Sequence, residues 1–129
     1  MGFSSLCMLK FFKDVAILNE DKLDKFTYEL FLSVFTGMGG RYTRLRILCE
    51  IVEIPLNTSQ ISKQLDIDYK TASYNLSVLL KNNLIIKKGT GHIIQYFPAE
   101  IVTSNLPTLY AVIRKAEEKL DKSNKNYID

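Results

Sequence analysis

The chain has 129 residues, of which 47% are hydrophobic and 24% are charged. This length predicts one domain with helical extensions, and the composition is that of a soluble globular protein, which excludes disordered, collagen-like and disulfide-stapled chains. The positive net charge of +3 comes from residues 40–97, which contain 8 Lys and Arg and 4 Asp and Glu, a local net charge of +4. Such a surplus is typical of a nucleic-acid surface if its charges lie on one motif, and of a merely solvated face if they do not.

Membrane, secreted and catalytic classes find no support. The longest stretch without a charged side chain, residues 101–113, has 13 residues, fewer than the roughly 18 that a membrane span needs. The first residues lack the positive region of a secretory signal, so we expect a cytoplasmic protein. A glycine-rich phosphate loop and a nucleophile constellation are both missing, so we expect no enzyme.

Two cysteines and one histidine are too few for a disulfide scaffold or a four-ligand zinc site. We therefore expect no metal and no cofactor. Cys49 lies on the apolar side of a predicted helix and reads as a small buried hydrophobe. His92 reads as a surface residue, and the role of Cys7 stays open.

The N-terminal segment, residues 1–39, is predicted to form a helical extension that serves dimerisation. One helix is indicated by Leu6, Leu9, Phe12 and Ala16, and a second by Leu23, Phe26, Leu30 and Val34. A glycine-rich breaker at residues 37–40 ends the extension.

Three helices are predicted next. Leu45, Leu48 and Val52 define the first one, which Pro55 stops. Asn57 is the expected N-cap of a short second helix, with Gln60 as its capping-box partner. Asp68 is the expected N-cap of a third helix over residues 69–82.

The third helix has two different faces. Its predicted inner face carries Ala72, Leu76, Leu79, Leu80 and Asn83, and its outer face carries Lys70, Tyr74, Ser77 and Lys81 with Thr71 and Ser73 at the margins. Asn75 lies nearer the inner side. The outer face is therefore polar and rich in hydrogen-bond donors.

A β-hairpin over residues 84–97 follows the helices. Its first strand begins at Leu84, Gly89-Thr90-Gly91 forms the turn, and the second strand returns from His92 to Phe97. Lys87 and Lys88 make the tip of this hairpin basic.

The C-terminal segment, residues 98–122, carries a short helical turn and then a helix, followed by a flexible tail at residues 123–129. The helix has an apolar stripe made of Leu109, Val112, Ile113, Ala116 and Leu120. Such a stripe needs a partner, either a second copy of the chain, which we expect, or its own domain.

This order of elements predicts a mainly α fold with a small β-hairpin wing, a winged helix-turn-helix at residues 40–97 between N- and C-terminal helical extensions. Residues 43–48, TRLRIL, and residues 70–79, KTASYNLSVL, resemble the first and recognition helices of the ArsR family of transcriptional regulators. Similar motifs also occur in the MarR and TrmB groups. Metal-sensing members of the family carry a Cys-x-Cys pair at the recognition helix or His and acidic ligands on the last helix; this chain has neither, so metal sensing through those sites is not expected. Asp66 stands where the family commonly has a Gly in the turn, and Asp tolerates this position because it visits the left-handed region more readily than most residues.

The resemblance implies a sequence-specific, double-stranded DNA-binding regulator that acts as a homodimer, with the third helix in the major groove and the wing on the backbone or minor groove. The predicted DNA contacts are Lys70, Thr71, Ser73, Tyr74 and Ser77 on that helix, Thr58 and Ser59 at the start of the helix before it, and Lys87, Lys88 and Thr90 on the wing. Arg41, Arg44 and Arg46 are expected either near the DNA backbone or in ion pairs with Glu50 or Glu53.

A winged module for protein assembly in transcription or replication machinery is the alternative. It predicts weak, salt-insensitive duplex binding and a different polypeptide as partner. The sequence identifies neither an operator nor an effector. If an effector binds, we expect it at the flanks, residues 3–38 and 107–120.

Overall fold

The computed structural model describes residues 24–36, 41–91 and 93–123. These residues form α1 (Lys25–Thr36), α2 (Arg41–Glu53), α3 (Thr58–Leu65), α4 (Tyr69–Lys81), β1 (Ile85–Lys88), β2 (Gln95–Pro98), α5 (Glu100–Thr103) and α6 (Leu106–Ser123). Within them, no helix has both the length and the apolar character needed to cross a membrane. The predicted helix at residues 6–16, Leu23, the breaker at 37–40, His92, the Leu120 side chain and residues 124–129 lie outside the described parts.

Helix α1 buries a face that is only partly the predicted one. Val34 is buried as predicted, and Leu30 is partly buried against the core, but Phe26 is 72% exposed. Thr27, Phe31 and Phe35 are buried in addition, so the prediction is wrong for Phe26. Apolar residues lie on both sides of α1, and its packing on α6 selects the face that is buried.

The stripe of α6 finds its partner within the chain. Leu109, Val112, Ile113 and Ala116 are all buried, and α6 packs against α1. This is the second of the two partners that the sequence allowed for the stripe. Dimerisation through the two extensions stays a prediction.

Helices α2, α3 and α4 pack on one another around buried Leu48, Ile61 and Leu76. The predicted capping box of α3 is confirmed: the Asn57 side chain accepts from the Gln60 N–H at 2.8 Å, and the Gln60 side chain accepts from the Asn57 N–H at 2.8 Å. These bonds satisfy two of the amide groups that a helix start leaves unpaired. The direction of α3 is thus set by local sequence.

A left-handed residue follows the end of each of α3 and α4: Asp66 with φ 55° directly after α3, and Asn83 with φ 61° two residues after α4. The N–H that follows each one reaches back to the helix, from Ile67 to the Ser62 carbonyl at 3.1 Å and from Leu84 to the Leu79 carbonyl at 3.0 Å. These are Schellman endings, in which a left-handed residue lets the chain turn sharply. The left-handed Asp66 was expected, but the inner-face position predicted for Asn83 is wrong, because Asn83 is exposed in the turn after α4.

The hairpin is antiparallel, with Lys88 paired to Gln95 and Ile85 to Pro98. Its second strand begins at Gln95 rather than at His92, because the turn is wider than predicted and Ile93 donates its N–H to the Thr90 carbonyl at 3.1 Å. Gly89 has φ +112°, and a Cβ there would lie 2.0 Å from the Ile93 carbonyl oxygen, so only glycine fits.

The linker between α2 and α3 pairs with the β2 strand of the hairpin at one residue. The Tyr96 N–H donates to the Leu56 carbonyl at 2.8 Å, and Leu56 forms an isolated antiparallel bridge with Tyr96. The Ala99 N–H donates to the Leu84 carbonyl at 2.9 Å, which closes the base of the hairpin. The wing is therefore joined to the linker between α2 and α3 through β2.

Candidate nucleic-acid interface

Helix α4 presents a polar face to solvent. Its inner residues Ala72, Asn75, Leu76 and Leu79 are buried. On the other side Lys70, Ser73, Tyr74, Ser77 and Lys81 are exposed and Thr71 is half-buried. The structure therefore places all five predicted contacts of this helix where a large partner can reach them.

The start of α4 is fixed by Asp68. Its carboxylate accepts from the Thr71 N–H at 3.1 Å and from the Thr71 hydroxyl at 3.3 Å. The backbone hydrogen bond from Thr71 is the largest influence on this carboxyl group and holds its pKa below the ordinary value. Thr71 thus serves the cap as well as facing the margin of the outer surface.

A groove of about 240 Å³ connects three elements. Its lining residues come from the start of α3, the first residue of α4 and the wing: Asn57, Thr58, Ser59, Tyr69, Gly91, Ile94 and Tyr96. Predicted contacts Thr58 and Ser59 therefore lie beside the wing. Tyr69, which is 59% exposed, also lines the groove and was not among the predicted contacts. Because Tyr69 directly follows the N-cap Asp68, the sequence could have placed it at the exposed start of α4.

The wing carries exposed Lys87, Lys88 and Thr90. The Lys88 ammonium lies 4.9 Å from the centre of the Phe97 ring, within the range of a cation–π contact. This contact lays the Lys88 side chain along the hairpin and limits its freedom. Lys87, one residue earlier, projects from the other face of the strand.

Two of the three arginines form hydrogen bonds within the protein, and the expectation that Arg44 lies near the DNA backbone is wrong because its side chain is buried. Arg44 is fully buried, and its Nη1 donates to Asn75 Oδ1 at 2.7 Å. Arg46 donates from Nη2 to the Leu65 carbonyl at 3.1 Å. Carbonyl groups at a helix end carry partial negative charge and draw guanidinium groups to them. The Arg41 side chain lies outside the described atoms.

Cys49 is buried, as predicted. In the described ranges, no three His, Cys, Asp or Glu side chains are grouped to hold a metal ion.

Residues 41–87, from the first residue of α2 to the third residue of β1, match the family model of bacterial regulatory proteins of the ArsR family. This segment is therefore similar to the helix-turn-helix domain of ArsR-family regulators. The match is to the first of the groups whose motifs the sequence resembles. No protein of curated function matches the chain significantly.

Two solved structures are similar to this chain in fold. An ArsR-like transcriptional regulator from Rhodococcus sp. RHA1 is 21% identical with a TM-score of 0.50, over 77% of this chain and 93% of that one. The homodimeric winged helix-turn-helix DNA-binding domain of a possible ArsR-family transcriptional regulator from Mycobacterium bovis is 17% identical with a TM-score of 0.53, over 88% of this chain and 93% of that one. The chain therefore has a winged helix-turn-helix fold.

Proposed function

We propose that the protein is a homodimeric transcriptional regulator that binds double-stranded DNA in a sequence-specific manner. The observation that carries this proposal is the exposed polar face of α4 within a segment that matches the ArsR-family model, next to a wing with two exposed lysines. A major groove about 12 Å wide admits one α-helix. In this arrangement α4 enters the groove and the wing contacts the backbone or the minor groove.

Base-edge contacts come from the first two turns of α4 in this proposal. Lys70, Thr71, Ser73, Tyr74 and Ser77 are the readers, because they surround the exposed side of those turns. Their hydroxyl, amine and phenol groups match the donors and acceptors that base pairs present in the major groove. The Ser77 hydroxyl already donates to the Tyr74 carbonyl at 2.6 Å, so Ser77 is an acceptor toward DNA.

Phosphate contacts come from both sides of α4. Thr58 and Ser59 lie at the start of α3, where free amide groups favour an anion. Lys87, Lys88 and Thr90 supply contacts from the wing. Phosphate contacts fix the register of the protein on the duplex, and base contacts then choose the sequence.

The homodimer is supported by the neutral flanking segments, by the exposed Phe26 on α1, and by the M. bovis neighbour, whose domain is described as homodimeric. Two-fold symmetry would set two α4 helices about 34 Å apart and would require a pseudo-palindromic operator. Because its target is chromosomal DNA, we place the protein in the cytoplasm.

Anisotropy titrations with duplexes from the genomic neighbourhood test this function, with an unrelated duplex of equal length as control. The proposal expects tighter binding to one duplex and a steep loss of affinity with added salt, since each phosphate contact releases about one counterion. Weak, salt-insensitive binding to every duplex and co-purification with another polypeptide would instead favour an assembly module.

A further inference from the structure

One buried arginine of α2 joins that helix to two others, α1 and α4. Arg44 lies on α2 and is 0% exposed. Its Nε donates to the Val34 carbonyl of α1 at 3.2 Å, and its Nη1 donates to Asn75 Oδ1 of α4 at 2.7 Å. Asn75 is 1% exposed. The pair therefore joins the helix that packs on α6 to the helix proposed to read DNA.

The α1 end of this connection has a clear electrostatic reason. Val34 lies among the last four residues of α1, whose carbonyl groups have no partner within the helix. The last turn of α1 carries no basic residue of its own. Arg44 supplies the positive charge that a helix C-terminus favours, and it does so from a neighbouring helix.

The α4 end of the connection reaches the first turn of that helix. Asn75 Nδ2 donates to the Thr71 carbonyl at 2.9 Å, while Thr71 is also bonded to the N-cap Asp68. Asn75 thus uses its acceptor for Arg44 and its donor for the backbone of the turn that carries Lys70 and Ser73. A rotation of α4 about its axis would break the bond to Arg44.

Stability alone does not account for a buried polar pair of this kind. Replacing buried charged networks by apolar side chains of similar volume is often neutral or stabilising, whereas removing one partner is costly. Hydrogen bonds, unlike apolar contacts, are directional and permit one orientation of the groups they join. The planar guanidinium fork uses two separate nitrogens here, which a lysine cannot reproduce.

We propose that Arg44 and Asn75 are positioning residues that set the orientation of α4 relative to the α1–α6 pair. This inference rests on the proposed DNA-binding function. Neither residue touches DNA. Both act by holding the outer face of α4 at the angle at which its side chains meet base edges, so their loss affects discrimination between duplexes more than non-specific affinity.

The test is the double variant Arg44→Met with Asn75→Leu, measured first for unfolding free energy and then for binding to the preferred and an unrelated duplex. We expect a folded protein, less stable than the wild type because the Val34 carbonyl loses its buried donor, whose preference for the specific duplex falls by roughly tenfold, the discrimination that one well-placed base contact supplies. The salt dependence of binding to the unrelated duplex stays unchanged. Wild-type discrimination in this folded variant would overturn the proposal.

Two further variants keep the test decisive. Arg44→Lys retains the charge but not the fork, and it should lose discrimination with the same unchanged salt dependence; full rescue by lysine would contradict the proposal. Asn105→Leu is the matched control, because Asn105 donates to the Ile101 carbonyl at 2.7 Å in the same local pattern as Asn75 and lies outside α4. Its discrimination should equal that of the wild type.

Amide hydrogen exchange separates this inference from the proposed function. If the wild-type protein shows no preference among duplexes, the proposed function is wrong. The positioning role is then tested only by the amide exchange rates of α4. We expect amides of α4 in the double variant to exchange faster than in the wild type while amides of α2 keep their rates. Unchanged exchange in α4 would overturn the positioning role.

Discussion

Lys87 and Lys88 are neighbours in sequence but project from opposite faces of the wing. Lys87 pairs across the hairpin with Tyr96, and Lys88 lies over the Phe97 ring. We predict that Lys87→Ala and Lys88→Ala each lower the slope of log affinity against log salt by about one, because each removes one phosphate contact. The exposed Lys115 of α6 is the control, and Lys115→Ala should leave the slope unchanged. Unchanged slopes for both wing variants would exclude the wing from the interface.

Tyr74 is 60% exposed at the centre of the outer face of α4. We predict that Tyr74→Ala weakens binding to the preferred duplex by about 1–3 kcal/mol and relaxes sequence preference, the range expected for loss of a base contact. Selection of duplexes by the variant, compared with the wild type, measures the change in preference. Equal losses on all duplexes would make Tyr74 a backbone contact instead.

Asp68 makes stability depend on pH. Hydrogen bonds from Thr71 hold the pKa of Asp68 below its ordinary value in the folded protein. Its stabilising contribution is therefore fully present above the ordinary pKa and is lost as the pH falls through the lowered, folded-state pKa. Unfolding of the wild type and of Asp68→Ala should differ at neutral pH and converge in acid.

The difference between those two proteins also isolates Asp68 from other groups. Burial, and then the charge of Glu50, raise the pKa of Glu53. The contribution of Glu53 to stability therefore changes with pH in the opposite direction to that of Asp68. That contribution is common to both proteins and cancels. A difference that persists unchanged below the folded-state pKa would show that the Asp68 cap does not depend on its charge.

At the scale of elements, helix ends could be predicted because they depend on local bonds. Asn57 with Gln60, and Asp68, act on neighbouring backbone, so spacing alone identified them. The left-handed Asp66 was expected from its place in the turn of the family that the sequence resembles. We predict that Asn57→Ala lowers the free energy of unfolding by about 1 kcal/mol, the usual cost of an N-cap. Asn57→Ser should restore most of it in denaturant titrations. Equal stability of all three proteins would show that tertiary packing, not the cap, holds α3.

The buried faces of helices and the limits of strands were harder to predict, because they depend on contacts between distant parts of the chain. The buried side of α1 is chosen by α6, far along the chain, and the pattern containing Phe26, Leu30 and Phe31 allowed two solutions. The bridge from Leu56 to Tyr96 likewise joins segments that local patterns treat separately. Arg44 was misplaced because a charged residue is expected at the surface unless its partners are known.

In the candidate interface, too, features that depend on local sequence were predicted and features that depend on distant contacts were not. The exposure of Lys70, Ser73 and Tyr74 follows from helical periodicity and was predicted. The groove beside the wing was not predicted, because Tyr69 and Tyr96 come together only after the hairpin folds back on α3. Tyrosine has both an apolar ring and a polar tip, so its type alone does not indicate whether it is buried.

In the whole molecule, the proposed binding to a pseudo-palindromic operator requires two chains. The stripe of α6 is already covered by α1, so the dimer surface must come from other faces, and Phe26 is the large apolar side chain left exposed on the described part of α1. We predict a dimer in sedimentation equilibrium and a monomer for Phe26→Glu, because two carboxylates buried at a symmetric contact repel each other.

The dimer prediction also has a binding consequence. Phe26→Glu should retain wild-type affinity for a single half-site and lose the advantage of a pseudo-palindromic duplex, since its two α4 helices are no longer linked. A wild-type protein that is monomeric and still prefers the paired half-sites would contradict the dimer.

Backbone chemical-shift mapping on the preferred duplex reports which surface of the protein contacts DNA. We predict the largest shifts at Lys70, Ser73 and Tyr74 of α4 and at Lys87 and Lys88 of the wing, with α6 little affected. Shifts centred on α1 and α6, with the outer face of α4 unchanged, would contradict this prediction.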